Sequence, residues 1–441
     1  MVKLGGSPSE PAVQAHVAYA RSLGFNALWI YSYQAGAWTQ ERAPKGPSVP
    51  RAFRRFAAQG REQGLRLLVS VNPVADTHGR FVFSDPAGED RIVRFASMLH
   101  ARAGVSDLVL SFDDQPTEIT DLSDILTYGR SAAPAHLDLV RRVAARLPPG
   151  MRLWLCAAVY CDAHLGTGEG PYAKPFLEGL NSLPPTVGIV WTGPAVISPS
   201  IGRADLEGTR ARLGGRKLLL YDNYPMGDEA PLGAFALSLA PLSARDPEIA
   251  SVVHAYLACP TVPLGASRFT LATIAEFLRD PAGYDPKAAR DRALARLAGP
   301  AASEATRLAL DTQQIEWGHV PRDPTDPTAT AARFHDPAFV SSFTWTESRY
   351  PARIAALEPL ADTVFRDDLL RAMRRRLAVA RALPLAIEYL ARRRAGRADA
   401  EQVLSRIHEE RASWSTHREA QAALDTFLAA AGIPAGPARP S

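Results

Sequence analysis

The sequence has little lysine. Only five of its 50 basic side chains are Lys (Lys3, Lys45, Lys174, Lys217 and Lys287), a bias that reads as genome composition. Cysteine is scarcer. Cys156, Cys161 and Cys259 follow no repeated spacing, which excludes a disulfide framework and a zinc site and leaves them as small buried residues. Neither sign of charge dominates: 50 basic against 46 acidic side chains give a net charge of +4, so no nucleic-acid or membrane partner is expected. No uninterrupted apolar stretch reaches about 18 residues, and no basic region followed by an apolar run opens the chain. Neither a membrane span nor a signal peptide is expected, and the default location is cytoplasmic. No glycine-rich dinucleotide fingerprint follows the first strand. His78, His164, His319 and His335 show no metal-ligand spacing, so neither metal nor cofactor is expected.

What is present is an alternation. Short β-branched or leucine-rich runs interleave with amphipathic, Ala/Arg-rich stretches over about residues 1–285, the pattern of a parallel βα protein. Eight strands are predicted: Met1–Gly5, Ala27–Ser32, Arg66–Val71, Asp107–Phe112, Arg152–Val159, Val187–Trp191, Lys217–Tyr221 and Val252–Ala258. Between the first two, a helix is predicted over Pro8–Leu23, stopping at Gly24. Eight such units favour a closed (β/α)₈ barrel over an open doubly wound sheet. Beyond Gly299 the strands cease. Ala302–Trp317, Pro351–Phe365, Asp367–Arg394 and Ala398–Gly432 are long helical patterns, read as a C-terminal α-helical bundle. The expected organisation is a catalytic barrel over 1–295, a helical bundle over 296–433 and a disordered tail over 434–441.

In such a barrel the chemistry lies at the C-terminal ends of the strands. Asp113-Asp114 follows the fourth strand, Tyr160 the fifth, Trp191 ends the sixth, and Tyr221-Asp222-Asn223 with Asp228 follow the seventh. Adjacent carboxylates on a continuing strand point apart, but a turn can aim both into one pocket. Two such close charges do not both ionise cheaply, so one is expected to be protonated near neutral pH and to serve as a general acid. Trp191, Tyr221 and Tyr160 would supply apolar walls for a sugar ring, and Asn223 and Asp228 its hydroxyl contacts.

The runs LVLSFDDQP (108–116), IVWTGPAVIS (189–198), LLLYDNYPMGD (218–228), APLSARDP (240–247) and ACPTVPLGASRFTLATIAEFLRDPAGYDP (258–286) resemble the family 84 glycoside hydrolases. These are the O-GlcNAcases and the bacterial β-N-acetylglucosaminidases often labelled hyaluronidases. The resemblance implies a (β/α)₈ barrel and a retaining, substrate-assisted exo-β-N-acetylhexosaminidase acting on terminal β-linked GlcNAc of a glycan or glycoprotein. It implies that Asp113 polarises the sugar's acetamido group and that Asp114 is the acid/base. It also implies that Tyr160, Cys156 and Val196 surround the acetamido group, that Tyr221 stands where the family has Trp, and that Asn223 and Asp228 hold hydroxyls.

Three positions depart from the family pattern. Lys3 stands where a glycine backbone touches the sugar, Gln34 where a hydroxyl-binding Lys is found, and Cys259 at the Asn of an Asn-Pro pair. All three fall on the side of the sugar's 3- and 4-hydroxyls. Lys3 either reaches into the pocket or faces the surface. The alternatives to the hydrolase are a catalytically reduced GlcNAc-binding protein and a hexosaminidase for a different or modified N-acetyl sugar. The acid pair favours an enzyme, because a binding module gains nothing from a general acid. The helical region would flank the cleft or form a homodimer.

Overall fold

The computed structural model describes residues 1–3, 10–224, 241–259, 264–299 and, except for 353, 356 and 361, 351–434. Eight parallel strands close into a barrel in sequence order. They are β1 (Val2–Lys3), β2 (Ala27–Tyr31), β3 (Arg66–Val71), β4 (Asp107–Ser111), β5 (Arg152–Cys156), β6 (Gly188–Trp191), β7 (Leu218–Asp222) and β8 (Ala255–Ala258). Every predicted strand is present, most of them shorter. The eighth loses its first three residues because Val252 and Val253 still donate to Ile249 in the preceding 3₁₀ turn. The first helix runs Pro11–Ser22 rather than from Pro8, since Pro11 occupies the opening helical position, where a missing N–H costs nothing.

The strands read as near-continuous apolar runs because both faces are covered, the outer by helices and the inner by the barrel core. One layer of that core takes Trp29, Leu68, Val109, Trp154, Val190, Leu219 and Leu257, one residue from each of β2 to β8. Gly188 makes room for it. A Cβ there would lie 2.3 Å from the Trp154 ring, so Gly188→Ala is expected to destabilise the fold by about 1–3 kcal/mol through overpacking. Urea unfolding would show it as a lowered midpoint, whereas an unchanged midpoint would mean that the ring yields freely.

At the opposite end from the site, Asp107 is fully buried. It accepts from Arg66 Nη2 (2.9 Å), Arg152 Nη2 (2.9 Å) and Trp154 Nε1 (3.0 Å), tying β3, β4 and β5 together. Past β7, the Arg245 guanidinium grips Asp222 with two bonds of 2.8 Å, and the Tyr256 hydroxyl adds a third at 2.5 Å. All three groups are buried, and the pair fixes the chain just before Asn223.

The chain divides into two compact units, and the first carries all eight strands. The second is helical where described, with helices Thr363–Arg394, Ala400–Ser413 and Arg418–Ala430. The long helix expected from Asp367 begins four residues earlier, because the Asp362 carboxylate accepts from Phe365 N at 3.0 Å. The helical pattern expected over Ala398–Gly432 is two helices. A turn at Trp414–His417 divides them, where the Ser413 hydroxyl donates to Glu410 O at 2.7 Å, a bond that competes with the helical ladder. The predicted helix over Ala302–Trp317 and the predicted tail beyond Pro434 lie outside the described residues. Among the described residues no helix is long and apolar enough to cross a membrane.

Candidate active site

A pleated strand returns to the same face every second residue. Two positions beyond the apolar layer, therefore, Tyr31, Ser111, Cys156, Tyr221 and Cys259 face into the barrel mouth, and Lys3, paired with Trp29 at the level below, shares their inward face. This second layer is the floor of the candidate site.

β4 ends at Ser111, and the chain then turns sharply. Asp114 lies in the left-handed region at φ 57°, and Gln115 N donates to Phe112 O at 3.3 Å. The left-handed conformation costs a non-glycine residue roughly 1–3 kcal/mol, so the surroundings must hold it. Phe112 does much of this. Completely buried, it stacks on the His136 ring at 3.8 Å, while His136 Nδ1 shares a 2.9 Å hydrogen bond with the Tyr172 hydroxyl. That hydroxyl in turn accepts from Ala158 N at 3.3 Å, linking the turn after β4 to the end of β5. Burial pushes His136 down to about 3, so this support is uncharged at every physiological pH.

The turn separates the environments of the two carboxylates. Asp113 is half-buried and Asp114 exposed: desolvation raises the Asp113 pKa, the Ser111 hydroxyl donating to it and the Lys3 charge pull it down, and the Asp114 charge raises it further, so the protonated form is favoured at Asp113. Asp114 accepts from the Tyr160 hydroxyl at 2.6 Å. Burial, and then this carboxylate, push the Tyr160 phenol upward, so it remains a donor.

Around the carboxylates, Cys156, Tyr160, Val196 and Tyr221 belong to one packed cluster. The Cys156 thiol is held protonated by burial and by the Asp113 charge, which makes it an apolar wall rather than a nucleophile. Val196 is fixed by its loop: Thr192 Oγ1 donates to Ala195 O (2.9 Å), Ala195 N to Ser198 Oγ (3.0 Å), and Asn223 Nδ2 to Val196 O (2.7 Å). Asn223 Oδ1 is buried without a hydrogen-bond partner among the described residues, an arrangement that suits a donor arriving on a ligand. Asp228 lies outside the described residues.

Lys3 turns inward. Its Nζ stands 5.3 Å from the Tyr31 ring centre and 5.8 Å from that of Tyr221. Tyr221 meets Trp29 edge-on at 5.4 Å and donates its hydroxyl to Cys259 Sγ at 3.4 Å. Gln34 is engaged locally: its Oε1 accepts from Tyr31 N at 2.9 Å, capping the short helix Ser32–Ala35. Trp191 corrects an expectation. Because Val190 faces the barrel core, Trp191 projects outward and is completely buried there, so it supplies no sugar-facing wall. Ser111, Tyr31 and the Phe112–His136–Tyr172 support were not among the sequence candidates. Ser111 and Tyr31 could have been found by counting two residues on from the apolar layer.

Two solved structures share this architecture. An aspartate-to-asparagine mutant of the O-GlcNAc hydrolase of Thermobaculum terrenum superposes with a TM-score of 0.65 at 18% identity, over 97% of this chain and 93% of that one. CpGH84B gives 0.62 at 17%, over 97% and 76%. At such identities they establish the fold. The sequence itself matches the family model for β-N-acetylglucosaminidase over residues 32–311. The chain belongs to the β-N-acetylglucosaminidase family. It is therefore a glycoside hydrolase with a glycan substrate, and the barrel of this hydrolase places both carboxylates where (β/α)₈ enzymes work. Among the described residues of the hydrolase, no group of three His, Cys, Asp or Glu side chains is placed to hold a metal ion.

Proposed function

We propose that this glycoside hydrolase is a retaining exo-β-N-acetylhexosaminidase that removes terminal β-linked GlcNAc by substrate-assisted catalysis. The observation that carries the reading is the carboxylate pair at the end of β4 in unequal surroundings, Asp113 half-buried against Ser111 and Asp114 exposed and accepting from the Tyr160 hydroxyl. A retaining enzyme with two ordinary roles for its carboxylates uses one as nucleophile, yet enzymes whose substrates supply the nucleophile are known exceptions. Here the sugar's acetamido oxygen attacks C1 while the bond from C1 to the leaving oxygen breaks. Asp114 gives that oxygen its proton. The ring so formed is an oxazoline, whose nitrogen gains positive charge as it closes, and Asp113 accepts its N–H and balances that charge. Asp114 then takes a proton from water, which adds to C1 and reopens the oxazoline to the acetamide. Two inversions at C1 leave its configuration unchanged.

Cys156 and Val196 line the niche for the acetamido methyl in this reading, beside Tyr160 and Tyr221. Asn223, with its buried carbonyl oxygen, and Asp228 bind hydroxyls, and Lys3, Gln34 and Cys259 lie across the pocket. Residues 1–295 serve as the catalytic barrel and 296–433 as a helical region, with a tail beyond. Against a pure binding protein stands the cost of the pair itself, since a binder has no use for two adjoining carboxylates, one of them half-buried and desolvated at an energetic cost.

The test is a pair of chromogenic β-glycosides differing only in the 2-substituent, N-acetyl against N-trifluoroacetyl. Fluorine weakens the acyl oxygen as a nucleophile, so kcat/KM is expected to fall by at least about tenfold, a barrier increase of roughly 1.4 kcal/mol. Equal rates would rule out participation by the acetamido group.

A further inference from the structure

We infer that Lys3 is the residue with which the pocket reads the substituent at C4 of the sugar, and so distinguishes GlcNAc from its 4-epimer. The inference rests on the proposed roles of Asp113 and Asp114, and otherwise on placement.

In a closed barrel of eight strands running in sequence order, the seam between β4 and β5 lies diametrically opposite the seam between β8 and β1. Asp113, Asp114, Cys156 and Tyr160 sit at the end of the former. Lys3 lies on β1 and Cys259 just past β8, with Tyr31 on the flanking strand β2, while Tyr221 on β7 runs from this wall to the acetamido niche. The site therefore has two facing walls. A sugar whose C1 and acetamido-bearing C2 are held at the carboxylate wall must direct the far side of its ring at the other. In a six-membered ring the atom opposite C1 is C4.

On that far wall the chemistry is specific. Tyr31 and Tyr221 present aromatic faces to the Lys3 ammonium, at 5.3 and 5.8 Å. Two rings of fixed orientation limit the lysine's freedom and attract its charge, holding the ammonium near one place. Gln34, on the short helix after β2, has its carbonyl oxygen turned back on the Tyr31 amide as a helix cap, which holds that side chain locally. Cys259 already accepts from Tyr221, and a thiol is a weak donor. Among the described residues of this wall, Lys3 supplies the charged donor, and an ammonium held near one place bonds only to acceptors within its short reach. Equatorial and axial oxygens on C4 leave the ring in different directions, so a donor held in place favours one.

The experiment compares the unsubstituted enzyme with Lys3→Met on chromogenic β-GlcNAc, its 4-deoxy analogue and β-GalNAc. Lys3→Met should lower kcat/KM on β-GlcNAc by about 10- to 100-fold, the range for one charged hydrogen bond. On the 4-deoxy sugar, which has no oxygen to lose, the same substitution should cost less than about threefold. The preference of the enzyme for GlcNAc over GalNAc should shrink by about tenfold or more. An equal loss on the parent and the 4-deoxy sugar would overturn the assignment, because it would place Lys3 in the support of Asp113 or of the fold. Should Lys3→Met fail to fold, Lys3→Gln must show the same dependence on the 4-oxygen. No turnover of any of these glycosides by the unsubstituted enzyme would overturn the hexosaminidase reading and this inference together, whereas turnover without the 4-deoxy dependence overturns the inference alone.

Discussion

Asp114→Asn is expected to lower kcat/KM by about 10²–10⁴-fold on a β-GlcNAc glycoside with a poor leaving group, the usual worth of a positioned proton donor. On a dinitrophenyl glycoside, whose leaving group departs without a proton, kcat/KM should be nearly unchanged, since it reports only the steps up to bond cleavage. There kcat should fall instead, and KM with it, because the oxazoline still waits for a base to activate water. The substitution suits the site. Asn tolerates the left-handed conformation that Asp114 adopts at φ 57°, and its amide oxygen can still accept from the Tyr160 hydroxyl. Losses in kcat/KM that are equal for good and poor leaving groups would remove Asp114 from the acid role.

That the pair could be located from sequence follows from barrel geometry. Eight apolar runs leave few architectures open, and catalytic groups of a (β/α)₈ barrel follow its strands, so the strand ends point to Asp113, Asp114, Tyr160 and Asn223 as candidates. The strand positions survived because each run is bounded by turns. Their ends did not, as at Val252, where a neighbouring turn takes the backbone bonds. Less legible were the features set by contacts distant in sequence. The stacking of Phe112 on His136, which holds the turn between the carboxylates and β5, joins residues whose separate patterns read as strand end and helix face. Trp191 illustrates the converse error: an aromatic at a strand end invites a sugar-binding role, but one step of the pleat decides whether it faces the barrel or the helices. For Lys3 the sequence left two directions open, and the pairing of Lys3 with Trp29 resolves them. Gln34 could not be assigned a partner from sequence because its bond is to the backbone three residues earlier, within a helix of four residues.

Asp113→Asn should fail differently. The amide still accepts an N–H but carries no charge to balance the developing oxazolinium, and the loss of one preorganised electrostatic contact of this kind is worth about 10²–10³-fold in kcat. Because the charge develops whatever group is leaving, the loss should be of similar size for good and poor leaving groups, unlike that of Asp114→Asn. The pH profile gives a second readout. Burial and the Asp114 charge raise the Asp113 pKa, against the Ser111 hydroxyl and the Lys3 charge. If the ionised form is required, the acid limb of kcat/KM should fall above the ordinary aspartate range, and in Asp113→Asn the limb due to this group should be missing. Stability should move the opposite way. A carboxyl whose pKa is higher folded than unfolded contributes stability that is fully present below the unfolded pKa and is lost as pH rises through the folded pKa. Wherever Asp113 is ionised the native enzyme therefore holds a charge that its own fold disfavours, and there Asp113→Asn, which cannot ionise, should unfold at an equal or higher urea concentration than the native protein. A large drop in both activity and unfolding midpoint would instead show that the carboxylate is needed to build the barrel mouth, and would remove it from the chemistry.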